Sequence, residues 1–415
     1  MKRSAATSSK ESDHPPRIRL LLHAIDGCVP FLTPSLLESH FPPSDDLWIG
    51  MAVRDTCVIP TFENKKKKKN KKKNGDENDD DKPKSNAEIF KPRGYTFTTT
   101  EPDPWLLPYT RVTVPSFSLV QDNQDRQKHE RQQQADISST NSQVFVWTPH
   151  GRQPLTPEQY ANASQGLKSR CTLSLYDMST VDSKKRQEKA LARTQQWFQD
   201  LLVRQKGKDA EIWAPVLIPP ETDDGPLSLQ HVQGNVQAIS GVALIGRWRN
   251  GLDEQLQELG VSNICLLATQ SLPELLAIAC SKSITVAGTE LPTRWSKAKR
   301  ALGVDYQLSD GTKRIKIDGD DESPFDSDGC MDLHDKRYAR DARPLVVGCA
   351  CLACKNDQFS RAYIHHLVCA KELVAEILLF GHNLHYLLCL CRQFSSCDDP
   401  DVLKDHIQRQ LAEPK

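Results

Sequence analysis

The chain has 415 residues, enough for one large domain with an appendage or for two domains. Its 54 basic and 54 acidic residues cancel, so net charge names no partner, and any nucleic-acid contact must come from a local patch. Thirteen cysteines without framework spacing, behind a polar start (MKRSAATSSKESDHPP) with no apolar signal core, argue against a secreted disulfide scaffold; they predict a reducing, intracellular compartment, where clustered cysteines bind metal more often than they pair.

In chain order, residues 1–15 read as a disordered tail. Residues 17–43 open the fold: Leu20, Leu21 and Leu22 form an apolar run, Asp26-Gly27 a turn, and Thr33 before Pro34 a helix start. Residues 47–62 hold two short strand-like runs. Residues 63–86 cannot bury apolar surface, because lysines at 65–69 and 71–73 give way to an acidic run at 76–81; a disordered insertion is expected. Its basic half would suit RNA phosphates or anionic lipid, and the plainer reading is a solvated loop that its acidic half neutralises. A second polar insertion spans 121–142, and a third, rich in Asp and Gly, spans 309–338.

Between the second and third insertions the pattern becomes regular. Residues 144–147 are strand-like, and Thr156 caps a helix with Pro157 at its first position. A strand at 171–176 precedes a helix at 184–204 that gathers Ala190, Leu191, Trp197, Phe198, Leu201 and Leu202 on one face. A strand at 212–218, a weaker helix from Ser228, and a strand at 241–245 follow. A helix at 252–259 ends at Gly260. The strand at 264–267 leads to a capping box, Ser271 to Glu274, opening a helix to Cys280, and then to a strand at 284–287. Short apolar strands alternating with helices predict an α/β fold, its parallel sheet covered on both faces. A doubly wound sheet and a (β/α)8 TIM-like barrel both fit, and the length of the alternating region, with more strands upstream, favours the barrel. The expected organisation is a barrel over 16–308, a disordered acidic insertion over 309–338, and a zinc-binding subdomain with C-terminal helices over 339–415.

Near the C-terminus Cys349, Cys351 and Cys354 stand as Cys-x-Cys-x-x-Cys, and His382 follows a run that reads as one helix. Three soft thiolates and one imidazole suit a tetrahedral, structural zinc with no water in its shell. His365, His366 and His385 are alternative fourth ligands, while Cys369, Cys389, Cys391 and Cys397 read as ordinary buried cysteines. Residues 363–388 are apolar nearly all round, so this helix should be buried on more than one side, leaving one side for a partner. Residues 373–391 approach the length of a membrane span, but Glu376, His382, Asn383 and His385 interrupt them, so no integral membrane segment is expected. Arg294, Lys297, Lys299 and Arg300 form a local basic cluster suited to RNA, against the plainer reading of a solvated basic helix.

Residues 348–383, with GCACLACKN, SRAYIHHL and a final HN, resemble the zinc motif and following helix of the tRNA-guanine transglycosylases, also called queuine tRNA-ribosyltransferases. The likeness extends to VWTPHGRQPLTPEQYA at 146–161 and to AGTELPTR at 287–294. It implies a (β/α)8 barrel with a zinc subdomain. It also selects His382 as the fourth ligand, since the register from Arg361 onward matches although the loop at 355–359 is longer. The family reaction is base exchange: an Asp attacks the ribose of the wobble guanosine, guanine leaves, and a deazaguanine base, queuine in eukaryotes, takes its place.

The departures from that pattern are specific. The family nucleophile falls at Gly288, which has no side chain to form a covalent intermediate. The family's Asp-Ser-Gly-Gly-Phe-Gln loop has no counterpart between 108 and 144. Pro219-Pro220 stands where a Gln-Gly-Gly should bind the base, and a later Gly-Gly is reduced to Ile245-Gly246. Asp177 falls at the base-recognising position but has lost its companions, and reads as a solvated or helix-capping residue. The chain therefore resembles the family's non-catalytic accessory subunit, which is similar also at GCVPFLTP, 27–34. The implied partners are a catalytic queuine tRNA-ribosyltransferase subunit, in a cytoplasmic heterodimer, and tRNA; peripheral association with the mitochondrial outer membrane is left open. The rival readings are an active transglycosylase using Glu290 and a zinc-stabilised RNA-binding protein.

Overall fold

The computed structural model describes residues 18–23, 29–41, 46–52, 106–109, 139–148, 151–166, 171–177, 184–205, 211–219, 227–249, 251–304, 325–326, 329–397 and 399–412. The expected tail 1–15, the insertion 63–86, and 121–138 and 309–324 of the other two insertions lie outside these residues.

Strands β1 (Arg19–His23), β2 (Leu47–Ala52) and β3 (Leu106–Tyr109) come first, with α1 (Pro34–His40) between β1 and β2. A hairpin of β4 (Val144–Thr148) and β5 (Gly151–Leu155) follows, then α2 (Pro157–Gly166). The regular alternation then runs β6 (Cys171–Leu173), α3 (Lys184–Gln205), β7 (Glu211–Leu217), α4 (Gln230–Gln233), β8 (Gly241–Ile245), α5 (Leu252–Gln257), β9 (Ile264–Thr269), α6 (Leu272–Ala279), β10 (Val286–Thr289) and α7 (Leu291–Lys297).

Eight of these strands make one curled, all-parallel sheet in the order β3-β2-β1-β10-β9-β8-β7-β6. The first strand pairs with the last, Leu21 lying opposite Gly288. The order is that of a ring opened between β3 and β6, whose backbones lie near one another without a ladder among the described residues. Side chains alternate across each strand. One set, including Leu21, Trp48, Leu173, Trp213, Ala243, Cys265, Leu267 and Val286, packs together on the concave side. There the Trp48 and Trp213 rings meet edge to face at 5.6 Å. The other set, including Leu20, Leu22, Val216, Val242, Leu244 and Leu266, packs against the helices.

The predicted caps form. Thr33 Oγ1 accepts from Leu36 N, and Ser271 Oγ from Glu274 N. Thr156 and Gln159 cap each other reciprocally, which the sequence reading had only as a single cap. The strand at 144–147 is not part of the large sheet: its partner is β5, and the two pair antiparallel with Val144 opposite Leu155. Residues 139–142, assigned from sequence to a polar insertion, are ordered against α3: Trp197 donates to the Asn141 carbonyl at 2.9 Å.

The C-terminal part begins earlier than residue 339. Strand β11 (Arg300–Leu302) pairs antiparallel with β12 (Cys330–Asp332), and a 3₁₀ turn covers Lys336–Arg340. Residues 329–338 are thus part of the fold rather than of a disordered insertion; Cys330, Met331, Leu333 and Tyr338 are buried apolar residues that a composition count dominated by Asp and Gly conceals. The predicted single helix is two, α8 (Arg361–Cys369) and α9 (Leu373–Ser396), followed by α10 (Pro400–Ala412). At the break Lys371 takes φ 58°, Lys371 N donates to Val368 O and Glu372 N to Leu367 O. That is the paired closure of a Schellman motif, with lysine at the left-handed position. Helix α9 bridges two cores: Ala375, Leu378 and Leu379 pack in the C-terminal cluster, and Phe380, Leu384, Leu387 and Phe394 in the main one. It is long and apolar enough to cross a membrane, but 67% of its apolar window is buried inside the fold.

Candidate functional site

Cys349, Cys351, Cys354 and His382 converge, their ligand atoms all within 4.8 Å of one another. His382 Nδ1 lies 3.8, 3.3 and 3.5 Å from the sulfurs of Cys349, Cys351 and Cys354. Zinc–sulfur and zinc–nitrogen bond lengths at tetrahedral angles put ligand sulfur and nitrogen roughly 3.6 Å apart, so the four atoms already stand at coordination spacing. Cys351, Cys354 and His382 are buried and Cys349 half-buried. The donor set is complete in protein groups and leaves no open position, which is the form of a structural site.

Local features bring the cysteine loop onto α9. Gly381, the residue before the ligand, faces Leu352: a Cβ there would sit 3.3 Å from Leu352 Cδ2, so glycine allows the close approach. The longer loop after Cys354 is taken up by a 3₁₀ turn at Lys355–Asp357, with Asn356 and Asp357 both left-handed. Ser360 then caps α8 through Tyr363 N. Hydrogen bonds from Cys349 and Cys351 lower the Cys354 pKa, while hydrogen bonds with Cys349 and Cys354 push that of Cys351 up, so a thiolate at Cys354 is favoured within the cluster.

The alternatives for the fourth ligand are placed elsewhere. His385 Nε2 meets Cys389 Sγ at 3.5 Å, His365 Nδ1 meets the Leu333 carbonyl at 2.8 Å, and His366 is exposed. Cys391 is buried as expected, whereas Cys369, one turn beyond His365, is exposed.

Arg361 is a buried residue that sequence reasoning passed over. Its Nε donates to Pro344 O, one terminal nitrogen to Leu345 O and the other to Asp341, fixing the segment that enters the cysteine loop. Burial tends to raise the Asp341 pKa, but hydrogen bonds from Arg343 and the charges of Arg361 and Arg343 outweigh it and hold it at about 2.

At the C-terminal ends of β1, β9 and β10 the sheet is closed over Gly288. A Cβ there would overlap the Leu267 carbonyl, 2.5 Å from its carbon, and lie 3.0 Å from His23 Nε2. The β9–β10 register shifts between Ala287 and Thr289, which brings that carbonyl in. His23, buried, bonds Leu267 O at 2.7 Å through Nε2; burial lowers its pKa, against the opposing charge of Glu290. Asp177 is neither solvated nor a cap. It is buried, accepts from Ser139 Oγ at 2.7 Å and pairs with Arg193 of α3, so its carboxylate ties β6 to the 139–142 segment and to the helix that covers it.

The basic cluster is mostly committed internally. Lys299 pairs with Glu376 of α9, and Arg300 with Asp326. Arg294 donates to the Gln270 carbonyl at 2.6 Å, and Lys297 is exposed. Three of the four expected RNA-facing residues therefore have partners within the fold, at positions too distant in sequence to be read from it.

A family model described as Queuine tRNA-ribosyltransferase matches residues 115–397. Among similar proteins, one of Aedes aegypti is 26% identical over 295 residues, covering 65% of this chain and 67% of its own length. One of Danio rerio is 26% identical over 308 residues, covering 64% and 71%. One of Schizosaccharomyces pombe is 29% identical over 256 residues, covering 60% and 54%. Each of the three is named queuine tRNA-ribosyltransferase accessory subunit 2.

Proposed function

Because the chain belongs to the queuine tRNA-ribosyltransferase family, we propose that it is the non-catalytic accessory subunit of a heterodimer that exchanges guanine for queuine at the wobble position of tRNA. The observation that carries this reading is Gly288. The family's pattern puts the attacking carboxylate at this position; here there is neither a side chain nor space for one beside the Leu267 carbonyl. A covalent glycosyl intermediate needs a nucleophile that reaches the ribose carbon, and a backbone amide cannot supply it. The names of the similar proteins favour the same role.

In this reading the sheet closes as a (β/α)8 barrel at the β3–β6 seam, and the metal at Cys349, Cys351, Cys354 and His382 is one structural zinc. When bound, zinc supplies cross-linking of the cysteine loop to α9 and no chemistry on tRNA. The chain's part is to present a folded surface to a catalytic subunit and to help seat tRNA, with Lys297 the remaining candidate of the basic cluster. The test is incorporation of labelled queuine or guanine into tRNA. This chain alone should give no turnover, and adding it to a catalytic family subunit should raise incorporation above that subunit alone. Turnover by this chain alone would overturn the reading.

A further inference from the structure

Among the described residues, strand β11 has a ladder on one edge only. Extended residues present their main-chain groups to alternate sides. Lys299 O accepts from Leu333 N, and Gly303 N donates to Gly329 O, so the odd residues face β12 and its flanks. The even residues face α9, and there side chains take the place of a neighbouring strand. Asn383 Oδ1 accepts from Leu302 N at 2.8 Å, and Asn383 Nδ2 donates to Arg300 O at 2.9 Å and to Ser296 Oγ at 3.2 Å. His382 Nε2 donates to Leu302 O at 2.8 Å, and the Tyr386 hydroxyl to Val304 O at 2.8 Å. Asn383 is fully buried with both amide hydrogens engaged, and only its oxygen can serve the Leu302 N–H.

Leu302 thereby joins Asn383 to the metal ligand. Its carbonyl requires the proton on His382 Nε2, which leaves the Nδ1 lone pair facing the three sulfurs; the tautomer that binds metal is set by this one hydrogen bond. The Leu302 peptide is in turn held in place through its N–H by Asn383. From Asn383 the chain of contacts continues to Ser296, whose Oγ donates to Pro292 O in α7. The metal cluster, β11 and the helix that follows β10 are thus joined by a single line of buried hydrogen bonds.

We infer that Asn383 is a positioning residue that couples metal binding at the cysteine–histidine cluster to the placement of β11 and α7. The inference rests on the cluster binding zinc. Two measurements on the full chain test it. In hydrogen exchange, chelating the zinc from the wild-type chain should deprotect 299–304 and 329–333 along with the cysteine loop. In Asn383→Ala the Leu302 amide should exchange rapidly with or without zinc. In competition against a chromophoric chelator, Asn383→Ala should bind zinc about 10- to 100-fold more weakly. The cobalt(II)-substituted variant should show a shifted d–d and sulfur-to-cobalt spectrum, which loss of packing alone would not move. If Asn383→Ala does not fold, Tyr386→Phe and the wild-type exchange experiment decide: Tyr386→Phe should loosen Val304 while leaving the cobalt spectrum unchanged. A wild-type chain that takes up no zinc overturns the metal reading and the coupling with it. A chain that holds zinc while 299–304 ignores chelation, or an Asn383→Ala chain with wild-type affinity and spectrum, overturns the coupling alone.

Discussion

On the proposed reading Gly288 lacks both a nucleophilic carboxylate and the space for one, and the two have different origins. The first is a residue identity and could be read directly. The second depends on a carbonyl from the neighbouring strand and on a register shift between Ala287 and Thr289, and neither leaves a mark in the sequence. Placing a carboxylate at this position should therefore not give the chain the exchange reaction. Gly288→Asp is expected to give no guanine exchange by the chain alone and to lower stability by roughly 1–3 kcal/mol or more, because the new Cβ meets backbone rather than a side chain that can turn away. Urea unfolding and the exchange assay check the two halves separately; a stable, active variant would mean that β9 yields. The convergence of Cys349, Cys351, Cys354 and His382 as a possible metal site was legible for the opposite reason: three of the four are local, and soft sulfur suits a metal such as zinc. The ion pairs of Lys299, Arg300 and Asp177 were not, because opposite charges far apart in a chain do not announce that they meet.

Helix α8 and helix α9 show the same limit one scale up. The apolar pattern runs through residues 363–388 without a proline, and its one glycine, Gly381, lies ten residues beyond Lys371, so nothing in it marks a stop at the break. What stops the helix is geometry at Lys371, where a left-handed lysine carries the closure usually given to glycine. Lys371→Gly is expected to raise stability by roughly 1 kcal/mol, since it removes the left-handed penalty and touches no packed side chain. Lys371→Val should lower it by a similar amount or more. Urea midpoints measure both, and zinc affinity should not change in either. If Lys371→Gly is neutral or destabilising, the lysine side chain holds α8 and α9 in a way the backbone does not explain. The parallel sheet was far more legible, because alternating short strands and helices with right-handed crossovers leave few topologies. The strand at β4 was recognised but its partner was not, since a strand pattern does not say which edge it will find.

For the whole molecule the buried histidines set the response to acid. Burial lowers the pKa of His23, with Glu290 and the Leu267 bond opposing, and burial likewise lowers that of His231, with the Pro215 bond opposing. In the unfolded chain both titrate near 6.5. Above that pH both states are neutral and these groups give no pH dependence. Below it the unfolded chain binds protons that the folded chain refuses, so stability falls as pH falls, and the loss is complete only below the folded pKa values. Each histidine can contribute a slope of at most about 1.4 kcal/mol per pH unit. Asp341, held at about 2, keeps its contribution through this range and loses it only in much stronger acid. The urea midpoint should therefore be level at pH 7–8 and decline from about 6.5 downward. Where the cysteine–histidine cluster holds metal, acid protonates its ligands and releases it, so the informative quantity is a difference between two chains at saturating zinc. His23→Gln keeps a donor for the Leu267 carbonyl and removes the titration, and its decline below pH 6.5 should be shallower than that of the wild type. Parallel declines would mean that His23 accepts its proton without unfolding, and that the sheet end around Gly288 opens to let water in.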